Sequence, residues 1–214
     1  MLFGKIDYIN LAPFHVFLKR YITNTQLKQS IEYKKSYPSK INTLFKKRKI
    51  DAAFISSIES KRGNFYCFDA GIIARKEIRS VLIRRGAVQK DSESATSNAL
   101  AAKLGIEGEV IIGDKALRVY LENPSQYEDL ASLWYQKYHL PFVFARFCVN
   151  RHHCFYKKLI KHFLHTRTKI PQYILKRYAH KRAVNVKDIQ SYLDLVHYRL
   201  DDKAKKSLHH FLRL

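Results

Sequence analysis

Short apolar runs that end in a polar residue and lead into a helical pattern recur along the first 120 of the 214 residues. This alternation constrains the fold more than any other feature of the chain. Gly4 to Ile9 reads as a strand, and Pro13 sits where a helix begins. Phe14, Phe17, Leu18 and Tyr21 then recur at helical spacing. Ile31 to Tyr37 reads as a second strand stopped by Pro38, with Ser39 capping a helix through Ile41, Leu44 and Phe45. Asp51 to Ile55 is a short apolar strand, after which Ser56 and Ser57 open a short helix. Phe65 to Ile73 and Ser80 to Arg84 read as strands, and Ser94 to Leu104 as a helix. Val110 to Ile112 reads as a strand opening into a helix from Lys115 to Leu121. Such a succession predicts an α/β fold whose sheets are covered on both faces.

From about Arg151 the pattern becomes all helical. Phe155, Leu159, Ile160, Phe163 and Leu164 make one apolar stripe; Ile189, Tyr192, Leu193 and Val196 make a second; Ala204, Leu208, Phe211 and Leu212 make a third. With 46% apolar residues, 13 Phe and 14 Tyr, the chain can fill a core, which excludes long disorder and a disulfide scaffold. Cys67, Cys148 and Cys154 are an odd set without CxxC spacing, so reduced thiols serving as small core residues are expected. No apolar run approaches the roughly 20 residues that span a bilayer. The N-terminus goes straight into strand-like sequence without an h-region or cleavage site, so a cytoplasmic protein without membrane insertion is expected.

The formal net charge of +22 asks for an anionic partner. Several polar clusters share one position, the carboxyl end of a strand just before a helix: Asn10, Ser56 with Ser57, and Gly113 with Asp114. Thr96, Ser97 and Asn98 similarly open a helix. Ligands of open α/β sheets bind outside such strand ends, where helix N-termini present backbone N–H groups. The same residue types are also ordinary helix caps. Composition and spacing alone therefore reach only as far as a site for a small anion.

Five segments carry a more specific resemblance. They are Gly4-x-Ile6-x-Tyr8-x-Asn10-x-x-Pro13-Phe14, Asp51 to Glu59, Ser94 to Leu100, Ile111 to Leu117 and Leu140 to Ala145. In this order they resemble the chorismate dehydratases of the menaquinone pathway. That resemblance implies a two-lobed fold like the type II periplasmic binding proteins, with a ligand cleft between the lobes and a helical C-terminal segment. Crossovers near Ala74–Ser80 and Phe142–Phe147 would assign residues 1–78 with 146–214 to one lobe and 79–145 to the other. The second lobe looks trimmed between Leu104 and Glu109.

The reaction implied is loss of water from chorismate, a small dicarboxylate, to give 3-[(1-carboxyvinyl)oxy]benzoate at the head of the futalosine route. It needs no redox cofactor and no metal. Asn10 is a neutral amide and cannot be a strong base, so it would orient substrate or stabilise developing charge. Ser56, Ser57, Thr96, Ser97, Asn98, Gly113 and Asp114 would hold the carboxylates. The proton could pass to a substrate carboxylate, to Glu59 or to Asp114, and the sequence leaves these open. A monomer or homodimer is expected.

Other signals compete. His152, His153, Cys154, His162 and His165 invite a zinc reading, but no second pair completes a tetrahedral set. Residues 151–214 hold 16 Lys plus Arg against 4 Asp plus Glu, and 8 of the 10 histidines. Within them Tyr173, Arg177, Tyr178, Lys181 and Arg182 mix aromatic and basic side chains as single-strand binders do, without any nucleic-acid-binding signature beside them. No specific nucleic-acid partner is expected. A non-catalytic solute-binding protein of the same fold, and the related dihydroxynaphthoate synthase of the same pathway, are the remaining rivals; the Tyr8-x-Asn10 opening favours the dehydratase.

Overall fold

A computed structural model describes all residues except Asn64 and Leu214, with backbone alone at residues 31–33. After β1 (Phe3–Gly4), a 3-10 turn at Ile9–Leu11 runs into α1 (Ala12–Tyr21), which carries Pro13 in its first turn. α2 (Thr25–Tyr33) and α3 (Pro38–Lys46) precede β2 (Ala52–Ser56), and α4 (Ser57–Arg62) departs directly from it. Next come β3 (Tyr66–Ala74), β4 (Val81–Arg85), α5 (Ala95–Leu104), β5 (Gly108–Ile112) and α6 (Gly113–Glu122). β6 (Glu128–Asp129), α7 (Leu130–Tyr138) and β7 (Phe142–Val149) complete the mixed part. The tail adds α8 (His153–His165), α9 (Gln172–Arg182), α10 (Val186–Leu195), β8 (Val196–Arg199) and α11 (Asp202–Arg213).

Two sheets result, ordered β1-β2-β7-β3-β8 and β5-β4-β6. β1 runs parallel to β2, and the other pairs are antiparallel. Every residue of β2 is buried, as expected of a strand covered on both faces. Below it Phe14 meets Phe54 and Phe163 edge-on, each at 5.0 Å between ring centres, and Phe54 meets Phe147 at 5.2 Å. Such edge-to-face rings pack densely, and Phe14→Ala would cost about 3–5 kcal/mol. A smaller apolar cluster of Leu82, Ile111 and Ala116 joins α6 to the three-stranded sheet. Asp129 fixes the connection between the sheets: it accepts the backbone N–H groups of Ile78 and Arg79 and caps α7 through Ala131 and Ser132.

Several expectations need correction. Ile31 to Tyr37 does not form a strand; Asn24 accepts the Leu27 N–H at 3.0 Å and nucleates α2, which runs through Tyr33. Extended pairing survives only as a bridge between Lys35 and Lys5. Helix α3 begins at Pro38, so Ser39 lies inside it rather than at its cap. The first strand is confined to Phe3–Gly4, because the chain turns at Asp7 toward Lys35 and α9. The tail is not all helical: β8 pairs with β3 at Ala70, Ile73 and Ala74. Finally, Cys67 and Cys148 face each other across β3 and β7 and are joined as a disulfide, while Cys154 is free and exposed rather than a core residue.

Candidate active site

A cavity opens where the two sheets meet, beside the starts of α5 and α6. Its polar wall is formed by Tyr8, Asn10, Ser56, Ser80, Ser94, Ser97 and Gly113, and its apolar wall includes Ile6, Phe54, Ile72, Ile78 and Phe144. Among the described residues no Lys, Arg or His lines it. An anion here must therefore be held by hydroxyls, amides and helix starts rather than by direct ion pairs.

Asn10 sits in the 3-10 turn after β1, and its carbonyl oxygen accepts the Tyr198 hydroxyl at 2.6 Å. That contact fixes the backbone while leaving the amide toward the cavity. The Asn10 Oδ1 is buried and has no hydrogen-bond partner among the described residues. Beside the amide lies the Tyr192 hydroxyl, whose single proton is donated to Ser80 Oγ at 2.8 Å. Burial raises the pKa of Tyr192 and of Tyr198, so both stay neutral donors.

Ser56 exchanges hydrogen bonds with Asn42, Nδ2 to Oγ at 3.0 Å and backbone N–H to Oδ1 at 3.2 Å, which positions the end of β2. Ser94 caps α5: its Oγ accepts the Ser97 N–H at 3.1 Å and lies 2.7 Å from Ser97 Oγ. Gly113 opens α6 with φ of +68°, and its missing Cβ matters, since one would stand 2.8 Å from the Tyr8 ring. Tyr8 in turn donates to Glu93, and burial followed by that contact raises its pKa.

Asn10, Ser56, Ser97 and Gly113 are thus gathered around one cavity, whereas Ser57, Thr96, Asn98 and Asp114 do not line it. The Ser57 hydroxyl donates to the Val143 carbonyl at 2.6 Å. Thr96 Oγ1 accepts the Ile58 N–H at 3.3 Å and ties α5 to α4. Asn98 closes the loop before α5 through the backbone of Asp91. Asp114 accepts the Ile9 N–H at 2.9 Å and forms a close ion pair with Arg182, whose Nε lies 2.7 Å from Oδ2 without aiming its hydrogen along the contact. Burial lifts the Asp114 pKa to about 6 despite these partners. Glu59 is bound by Lys46 and Arg62.

Sequence reasoning missed Ser80, Ser94, Tyr192 and Tyr198. Tyr192 lies on the apolar stripe of α10 and reads there only as core; Tyr198 lies on a strand whose four residues were too few to signal. The histidines disperse: His153 packs on Tyr66, His162 on Tyr21, and His165 meets the Lys161 carbonyl. Among the described residues no three His, Cys, Asp or Glu side chains gather as a metal site. Of the basic aromatic set in α9, Tyr178, Lys181 and Arg182 turn inward onto Asp7, and Tyr173 is exposed.

The profile of the Menaquinone biosynthesis family matches residues 94–214. A chorismate dehydratase of Campylobacter jejuni is 48% identical over 215 residues, covering 100% of this chain and 96% of that protein. Among solved structures, a protein of Archaeoglobus fulgidus superposes with a TM-score of 0.71 at 10% identity, over 99% of this chain and 94% of its own. A Candida albicans gene product described as having the generic periplasmic binding protein fold superposes with a TM-score of 0.56 at 11% identity, over 100% of this chain and 90% of its own. The architecture is accordingly of the periplasmic-binding-protein type.

Proposed function

The chain belongs to the menaquinone-biosynthesis family that includes the chorismate dehydratases, and we propose that its cavity removes water from chorismate to give 3-[(1-carboxyvinyl)oxy]benzoate. The protein is a dehydratase, acting as a carbon–oxygen lyase. A proton leaves the ring carbon that bears the enolpyruvyl ether, hydroxide leaves the neighbouring carbon, and the new double bond makes the ring aromatic. The step is redox-neutral and draws its driving force from aromatisation.

One observation carries the assignment of roles: the Asn10 Oδ1 is buried, unpartnered and at the cavity wall. A buried acceptor without a donor costs stability unless a ligand supplies one. The hydroxyl that leaves chorismate is such a donor. As its bond to carbon breaks, the Asn10 amide N–H and the Ser80 hydroxyl stabilise the developing charge. The carboxylates take Ser94 and Ser97 at the start of α5 on one side and Ser56 on the other, so the dianion draws together two lobes, residues 1–78 with 146–214 and residues 79–145. Glu59 is occupied by two cations and Asp114 by Ile9 and Arg182, which favours a carboxylate of the substrate itself as proton acceptor.

Incubation of EDTA-treated protein with chorismate, followed by HPLC, should show the aromatic product. Asn10→Ala should lower kcat by about 10²–10³ with little change in thermal midpoint. A destabilised but fully active variant would make Asn10 a structural residue only, and full recovery of chorismate by folded wild-type protein would remove the reaction altogether.

A further inference from the structure

A second and larger cavity, of about 770 Å³, lies between the 166–171 connection, the end of α10 and β8. This is within the range of small-molecule sites, about 300–1,000 Å³. Its floor is apolar, built from Phe163, Leu175, Leu193 and Val196. Its rim carries Arg75, Arg167, Lys169 and Arg199, against the single carboxylate of Asp194. The Arg199 guanidinium is held by the Leu164 carbonyl at 3.1 Å, and Arg75 reaches Asp201 only at 3.5 Å. The connection also places Thr168 Oγ1 in a buried position with no hydrogen-bond partner among the described residues.

The dehydratase reaction uses none of these groups. We propose that this cavity is a second ligand site, for a small molecule with an apolar, ring-sized body and one or two acidic groups. The apolar floor takes the body, the guanidinium and ammonium rim takes the charge, and Thr168 supplies a further polar contact. The site is linked to the cleft by one hydrogen bond. Tyr198 lines it and donates its hydroxyl to the Asn10 carbonyl at 2.6 Å, so an occupant pressing on that ring acts on the turn that carries Asn10. This inference rests on the geometry of the cavity and holds whether or not chorismate is the substrate of the cleft.

The probe is 1-anilinonaphthalene-8-sulfonate, an aromatic anion of the proposed class, titrated calorimetrically into folded full-length protein. One molecule should bind per chain. Leu193→Trp, which fills the floor, and the pair Arg167→Glu with Lys169→Glu, which reverses the rim, should each weaken binding at least tenfold. The pair Lys157→Glu with Lys158→Glu makes the same change of net charge on α8, away from this cavity, and should leave binding unchanged. Circular dichroism of each variant verifies folding, and the two tests of the cavity are independent should one variant misfold. Absence of binding to the wild type would overturn the proposal. So would binding that survives both cavity variants, or binding lost equally in the α8 control, which would reduce the effect to general electrostatics.

Discussion

Arg182, in the last turn of α9, holds the Asp114 carboxylate at the start of α6 with its Nε and donates to the Asp7 carbonyl beyond β1 with its terminal nitrogen, at 2.7 and 2.5 Å. One side chain of the helical tail thus bridges the segments that enter the cleft from the two sheets. Asp114 is 7% exposed, while Arg182 is 25% exposed. Arg182→Ala should therefore cost about 1–3 kcal/mol in urea unfolding, less than a fully buried pair, because solvent reaches the guanidinium and Asp114 can take up a proton. Arg182→Lys should recover only part of the loss, since an ammonium cannot serve both acceptors from one plane. An alanine variant with unchanged stability would show the bridge to be idle.

Asp114 also makes stability depend on pH. Burial raises its pKa to about 6 in the folded protein, from the ordinary aspartate value of 3.8. The folded state therefore binds this proton more tightly than the unfolded chain does. The resulting stabilisation is complete below 3.8 and is lost as pH rises through about 6. The difference amounts to about 2–3 kcal/mol. In Asp114→Asn this part of the slope should vanish from unfolding free energies measured between about pH 4 and 7. Identical slopes in variant and wild type would place the titration on another group.

The disulfide has a direct chemical readout. Ellman's reagent should titrate one thiol in the native protein, Cys154, and three after reduction and denaturation. The bond closes a long loop, its ends 81 positions apart in sequence, so Cys148→Ala should cost about 2–4 kcal/mol relative to the oxidised protein. Reductant added to the wild type should give a comparable loss. Three reactive thiols in the native protein would contradict the bond between Cys67 and Cys148.

The alternation of apolar runs and helical patterns made the α/β class and most elements from Asp51 to Leu121 legible, because strands covered on both faces are written as continuous apolar sequence. Ile31 to Tyr37 misled because β-rich composition was outweighed by a local event, the Asn24 cap that starts α2. β8 was illegible for the opposite reason: four residues carry too little periodicity, and the strand exists only because β3 offers it an edge. The same contrast governs the site. Asn10, Ser56, Ser97 and Gly113 stand at strand ends and helix starts, where position alone marks them. Tyr192 and Tyr198 reach Asn10 and Ser80 from the tail by tertiary folding, and no local pattern separates a tyrosine that supports a site from one that fills a core. The half-paired cysteines show it too, since opposition across two strands is a matter of register.

Tyr192 provides the last test, because it joins the two polar groups assigned to the leaving oxygen. Its hydroxyl donates to Ser80 Oγ and lies beside the Asn10 amide. It does not line the cavity, so it acts as a positioning residue. Tyr192→Phe keeps the ring within the core and removes only the hydroxyl, at a stability cost of about 1 kcal/mol. If the hydroxyl holds Ser80 and Asn10 in place, kcat should fall about tenfold while KM changes little, since the carboxylate contacts at Ser94 and Ser97 are untouched. The same substitution made in an Asn10→Ala background should then have a smaller further effect, because only Ser80 is left for the hydroxyl to position. Full additivity of the two losses, or a change confined to stability, would make Tyr192 a core residue whose hydroxyl merely satisfies Ser80.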